Sequence, residues 1–240
     1  MDRDLADFLG YLHDRNRSPL TIERYGETLR RFAVFARAEL HQDHVRVEDV
    51  DKALVVAFVR EGGRPGVKSS PATRNARLSA VRAFQRWLVA EGRLASDPSK
   101  AIERATLPSR SPTFLTPDEF GRLRDTVERT ATEHYLRRDL AIVLTFWHTG
   151  LRLRELLSLD LDQVDFAREQ FLPVRRKGGD VVAVHFNVEV TIAVRRWLWE
   201  RRRYPNADSE RALFLSDRGR RLSPRAAEDL VGKYVSVRGK

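Results

Sequence analysis

Three residues are of types that could act together on an anion: Arg152 in Thr149-Gly150-Leu151-Arg152, Glu155 three positions on, and Lys177 in Arg176-Lys177-Gly178-Gly179. A guanidinium is a planar fork that matches two oxygens at once. An ammonium can reach an oxygen and donate a proton to it as a general acid. Glu155, one turn after Arg152, is placed to orient that arginine rather than to carry a proton. Fixed cationic donors of this kind stabilise negative charge that develops on oxygen during a reaction. Two plainer readings stand beside this one: a glycine followed by a new helix is ordinary punctuation between helices, and Lys177 would serve as a solvated turn residue. The absence of cysteine removes disulfides, thiolate nucleophiles and Cys-ligated zinc. The six histidines show none of the paired spacings of a metal helix, so the chemistry is expected to use neither a metal nor a cofactor.

Such a set needs elements that hold it. The sequence predicts a helix over roughly Leu136 to His148 that ends at Gly150, and a hairpin built from Phe171 to Val174, a Lys-Gly-Gly-Asp turn and Val181 to Phe186. Upstream, Thr116-Pro117-Asp118-Glu119 supplies an N-cap, a first-turn proline and a capping-box glutamate, which starts a helix. Helices return near Val188 to Arg203 and Pro224 to Val237, and Arg201-Arg202-Arg203 reads as a solvated helix end. In the N-terminal third, Ser18-Pro19 precedes Ile22, Tyr25, Leu29, Phe32 and Phe35 at helical spacing. Shorter periodic segments lie at Leu5, Phe8 and Leu12, near Val50 to Val59 and from about Thr73 to Leu88. Between Arg104 and Phe114 two prolines interrupt all periodicity. The expected organisation is a helical domain over 1–104, a linker over 105–114 and a second domain over 115–240. The fold class is mainly α with a small antiparallel β-hairpin or sheet.

Forty-four Lys and Arg against 34 Asp and Glu give a formal charge of +10, which favours an extended anionic partner: nucleic acid first, a membrane surface second. Arg64, Lys68, Arg74, Arg77, Arg82 and Arg86 follow one another with no acidic residue between them, a pattern suited to neutralising phosphates. Leu78, Val81 and Leu88 can pack inward while Arg82 and Arg86, one turn apart, face elsewhere. The competing reading is that these arginines only solubilise a helix face. No apolar run approaches the ~20 residues needed to span a bilayer, and Met1-Asp2-Arg3-Asp4 is too polar to open a signal peptide. A cytoplasmic protein is expected, with no membrane partner.

The segment Thr149-Gly150-Leu151-Arg152-Leu153-Arg154-Glu155-Leu156 resembles the Thr-Gly-Leu-Arg-x-x-Glu-Leu box of tyrosine recombinases and phage-type integrases, particularly the Xer-like branch. Lys177, 25 positions after Arg152 and followed by glycine, stands where that family keeps its hairpin lysine. Ser18-Pro19-x-Thr21 with Tyr25 is similar to the start of the family's core-binding domain, and Leu115-Thr116-Pro117-Asp118-Glu119 to the opening of its catalytic domain. The resemblance covers nearly all of the chain. It implies an N-terminal helical core-binding (SAM-like) bundle, an α+β catalytic domain, and double-stranded DNA as partner. It also implies transesterification of a phosphodiester through a pentavalent phosphorane. In that scheme Arg152 is the first catalytic arginine, Lys177 the general acid that protonates the leaving 5′ oxygen, and Glu155 a supporting residue.

In the family the site is completed downstream by a His-x-x-Arg box, a further His or Trp, and a tyrosine that forms a 3′-phosphotyrosyl bond. No histidine follows His185, and Lys240 comes about where the His-x-x-Arg helix would begin. The catalytic domain is therefore expected to be truncated, with no nucleophile present. His134-Tyr135-Leu136-Arg137 has the right letters but precedes Arg152, the reverse of the family's order, and reads as helix surface. Tyr234 reads as a packing residue. Two functions follow: site-specific recombination or integration, with a homo-oligomer on DNA if a longer form exists, or a non-catalytic duplex-binding module or regulator derived from a recombinase. A helix-turn-helix regulator gives no role to Arg152 with Lys177.

Overall fold

Serine–proline pairs start three of the described helices, two of them in the first half of the chain. Ser18 Oγ accepts a hydrogen bond from the Thr21 amide (3.2 Å) ahead of α2 (Pro19–Leu40), and Ser70 Oγ one from the Thr73 amide (3.1 Å) ahead of α4 (Pro71–Ala90). In both, the proline occupies the first turn, where its missing N–H costs nothing. In this computed structural model, described over residues 1–62, 69–109, 114–176 and 179–236, the chain divides into two compact units, Met1–Ser111 and Pro112–Lys240. The first unit adds α1 (Asp2–Asp14) and α3 (Lys52–Glu61), the latter capped by Asp51 on the Leu54 amide at 2.7 Å. Its core is Phe8, Leu29, Phe32, Val55, Phe58, Leu78 and Val81, each 2% exposed or less. The expected helical bundle is present, and α4 begins two residues before Thr73 because the serine cap sets its start.

The second unit opens with α5 (Pro117–Thr130), whose capping box is complete: the Glu119 amide donates to Thr116 Oγ1 (3.2 Å) and the Thr116 amide to Glu119 Oε2 (3.0 Å). Then come α6 (Glu133–Thr149), a one-turn helix α7 (Leu153–Leu157), and an antiparallel sheet in the order β1 (Val164–Asp165), β2 (Gln170–Arg175), β3 (Val181–His185). The register pairs Gln170 with His185 and Val174 with Val182, with an irregularity between Phe171 and Val174 that accommodates Pro173. The hairpin was legible in the sequence; β1, at two residues, is too short to show alternation. Helices α8 (Val188–Arg201) and α9 (Pro224–Ser236) follow. The fold is mostly helical with a three-stranded antiparallel sheet. Ile142, Leu156, Phe171, Val194, Trp197, Phe214 and Tyr234 form the centre of its core.

The basic end of α8 departs from the sequence reading. Arg201 is buried at 4% exposure and donates to the carbonyls of Ala207 (2.8 Å), Glu210 (2.5 Å) and Ala212 (2.8 Å). The loop after α8 has carbonyls without ladder partners, and a buried carbonyl needs a donor; Arg201 supplies it, while Arg202 and Arg203 remain exposed. Gly219 makes the same loop possible: at φ +64°, a Cβ there would lie 1.7 Å from the Pro205 carbonyl oxygen. Among the described residues no helix is long and apolar enough to cross a membrane.

Candidate active site and nucleic-acid interface

Helix α6 stops at Gly150, which adopts the left-handed conformation (φ +60°) while its amide returns to the Phe146 carbonyl at 3.1 Å. The reversal buries Leu151 and delivers Arg152 to the first position before α7. Glu155, at the third position of that helix, holds it from two sides: the Arg152 amide donates to Oε2 (2.9 Å) and Arg152 Nη1 to Oε1 (2.8 Å). The glutamate side chain is 6% exposed and the arginine's 62%. One edge of the guanidinium is therefore fixed by a buried carboxylate, and the rest of its five donors face outward. Burial alone would raise the Glu155 pKa, but the Arg152 amide and guanidinium, with the charge of Arg176 adding to them, bring it below the ordinary value of 4.5. Glu155 thus stays ionised, as an orienting group must. Arg176 follows the last residue of β2 and enters the Glu155 balance only as a nearby positive charge. Lys177 itself lies outside the described residues, as do Arg64 and Lys68.

Tyr234 is fully buried, and its hydroxyl donates to Asp139 Oδ2 at 2.6 Å. Arg138 Nε holds the other oxygen at 2.9 Å and donates further to the Leu215 carbonyl and to Asp217. Burial raises the Asp139 pKa against the opposing pull of Arg138 and Tyr234. Burial and the Asp139 bond together push the Tyr234 phenol well above its ordinary range. A phenol that is buried, protonated and committed as a donor ties α9 to α6; it is not presented to a substrate. Tyr204, pushed up to about 12 mainly by burial, donates to the His134 carbonyl at 3.0 Å. His134 stacks on the Tyr204 ring (4.7 Å) and Arg137 covers the Trp199 ring (5.5 Å). The His134–Arg137 pair thus lies on the helix surface, its side chains 50% and 38% exposed and laid against neighbouring rings.

In the first unit the predicted basic residues divide. Arg77 donates to the Val59 carbonyl (3.2 Å) and Ser69 Oγ (2.8 Å) and lies so close over Gly62 that a Cβ there would meet its Cζ at 2.1 Å. Arg82 donates to the Ser99 and Ile102 carbonyls (3.1 and 2.5 Å), pinning the segment that follows α4. Arg74 is half-buried, its Nε without a hydrogen-bond partner. Arg86 is 68% exposed, with Asp97 at 4.0 Å. The structure adds residues the sequence reading missed. Thr21, Arg24, Thr28 and Arg31 of α2 face Thr73 and Arg77 of α4 across a cleft of about 510 Å³. Their spacing of three, four and three was visible as a polar stripe opposite Ile22, Leu29 and Phe32.

Fold and site together define a two-unit, mainly helical protein whose C-terminal unit offers a buttressed arginine and a β-hairpin and whose N-terminal unit offers a basic cleft. The phage integrase family model matches residues 113–240, and the N-terminal SAM-like domain of phage integrases matches residues 5–92. The chain belongs to the phage integrase family, and its relatives are Xer-like tyrosine recombinases. It is 32% identical to tyrosine recombinase XerC of Pelobacter propionicus over 92% of this chain and 70% of that one. It is 33% identical to the XerC of Alcanivorax borkumensis over 97% and 73%. Among solved structures, XerH bound to its palindromic difH substrate superposes with a TM-score of 0.69 at 19% identity over 94% of this chain. A lambda integrase dimer bound to a COC′ core site superposes at 0.65, with 17% identity over the whole chain. The chain spans 65% and 64% of those two chains.

Proposed function

We propose that this chain binds double-stranded DNA and belongs to a site-specific recombination or integration reaction that proceeds by phosphodiester transesterification. The observation that carries the reading is the Arg152–Glu155 pair. A guanidinium held on one edge by a buried carboxylate is preorganised to meet two non-bridging oxygens of a phosphodiester with no reorganisation when charge develops there. Lys177, which lies in sequence between β2 and β3, is the proposed acid for the leaving 5′ oxygen. Duplex contact by the N-terminal unit is assigned to Arg86, Arg74, Arg64 and Lys68 with Thr21, Arg24 and Thr28 of α2, while Arg31 holds the Gly62 carbonyl at 3.1 Å. Arg77 and Arg82 shape that surface through the carbonyls they hold. The two units are proposed to be separate domains joined over 105–114. The XerH and lambda integrase structures contain DNA, the latter as a dimer; assembly of this protein on DNA is proposed by that likeness.

The second reading, a duplex-binding module that does not cleave, is favoured by the state of the tyrosines in the C-terminal unit. Tyr234 and Tyr204 are buried as donors, and Tyr135 donates to Asp217 Oδ2 at 2.7 Å. We infer that none of them is the nucleophile and that this chain alone binds without cleaving. Incubation with a nicked duplex that traps covalent intermediates tests the division: binding without an SDS-stable adduct is expected. An adduct lost on Tyr234→Phe overturns the assignment of that residue.

A further inference from the structure

His148 sits four residues before Arg152 and joins two stretches of chain 39 residues apart. Its Nδ1 lies 3.1 Å from Asn187 Nδ2 and its Nε2 2.8 Å from Glu189 Oε2. Asn187 is the N-cap of α8: its Oδ1 accepts from the Val190 amide at 3.1 Å. That cap fixes the amide's orientation, because reversing it would set an NH2 group against a backbone N–H. With Nδ2 thus turned to the imidazole, Nδ1 must be the acceptor, and Nε2 carries the hydrogen that Glu189 receives. The helix cap therefore dictates the histidine tautomer through the hydrogen-bond network.

Asn187 is also the exit of the hairpin. It follows Phe186, whose amide closes the sheet on the Glu169 carbonyl (2.9 Å) and whose ring packs on Phe171 at 4.6 Å. His148 is correspondingly the entry to the Thr149–Arg152 reversal, where Thr149 Oγ1 donates to the Thr145 carbonyl and accepts from the Leu151 amide at 3.3 Å. One side chain thus ties the end of the helix that delivers the arginine to the residue at which the chain leaves the base of the β2–β3 hairpin. A packed α6–α8 pair would hold the two elements near each other without it. The directional pair of bonds sets how far one element slides along the other.

We propose that His148 is a positioning residue: with Asn187 it fixes the base of the β2–β3 hairpin against the Arg152 turn, so that guanidinium and hairpin meet one phosphate in register. The inference rests on the reading of Arg152 as a phosphate ligand. A displacement of about 1 Å at such a site costs on the order of 100-fold in rate in the intact reaction. In the binding step alone it appears as lost benefit from Arg152.

The test is a double-mutant cycle on the full chain, read by fluorescence anisotropy with a short labelled duplex of mixed sequence. Arg152→Ala should weaken binding about 10-fold in the wild-type background, the size of one charge-assisted phosphate contact, and less than about 3-fold in His148→Ala. His148→Asn, whose amide oxygen falls near the place of Nδ1, should restore most of the coupling. A merely structural histidine would lower affinity equally in both backgrounds, and additive effects with the Arg152 contribution intact would overturn the positioning role alone. No effect of Arg152→Ala in the wild type would remove the phosphate reading itself, and the inference with it. Independently of DNA, nitrogen-15 shifts of the His148 ring should show Nε2 protonated and Nδ1 bare; the opposite tautomer refutes the link to Asn187.

Discussion

Replacing Tyr234 by Phe removes one oxygen and leaves the ring, so the change isolates a single hydrogen bond. The ring is fully buried and its surroundings need not collapse. The lost bond is 2.6 Å long and its acceptor is a carboxylate whose side chain is 4% exposed. Arg138 Nε, at 2.9 Å, would remain as the other partner of Asp139. A buried hydrogen bond to a charged group contributes about 1.5–3 kcal/mol, so the expected loss is about 2 kcal/mol. That lowers the folded-to-unfolded ratio roughly 30-fold and the melting temperature of a unit this size by about 7 °C. Calorimetry or urea unfolding of the full chain should show the C-terminal transition moving while the N-terminal one stays. In an Asp139→Asn background the same substitution should cost less, since the acceptor is then neutral. Unchanged stability within about 0.5 kcal/mol would refute the claim that the phenol is spent on holding α9 to α6.

Three further outcomes follow from the same geometry. Arg86→Glu should weaken duplex binding steeply at low salt and leave stability unchanged, whereas Arg82→Ala should cost about 1–2 kcal/mol of stability by freeing the Ser99 and Ile102 carbonyls; anisotropy and thermal melting separate the two. The Glu155 pKa is lowered in the folded state, so its contribution to stability is present above its ordinary value of 4.5 and is lost as pH falls through the lower folded value. Glu155→Gln should flatten that acid limb in a pH series of urea midpoints. Gly150→Ala, where a Cβ meets nothing within 4 Å, should cost only the ~1 kcal/mol of a left-handed alanine. Gly219→Ala, driven into the Pro205 carbonyl, should unfold the loop that Arg201 holds, as proteolysis of Pro205–Leu213 would report.

Much of the scaffold was legible because its signals are local. Ser18-Pro19 and Thr116-Pro117-Asp118-Glu119 cap helices through bonds made within four residues, and the Phe171–Val184 hairpin shows its strand residues and its glycine turn in one short stretch. The Arg152–Glu155 pair was legible for the same reason, being one turn of helix. Arg77, Arg82 and Arg201 were misjudged or only half understood because charge is visible in a sequence and the destination of a guanidinium is not. Each is drawn to backbone carbonyls 6 to 20 residues away that no ladder satisfies. Asp139 with Tyr234, 95 positions apart, and His148 with Asn187 leave no periodic trace at all, since either residue alone is unremarkable in its helix.

The salt dependence of duplex affinity, compared between the wild-type chain and Arg152→Ala, tests the account most directly. Neutralised phosphates release counterions, so the logarithm of the association constant should fall linearly with the logarithm of salt concentration, and the loss of one phosphate ligand should reduce that slope by about one. A steep wild-type slope that becomes shallower by about one in Arg152→Ala is the predicted result. Identical slopes would contradict it, and would leave the buttressed arginine as a structural residue only.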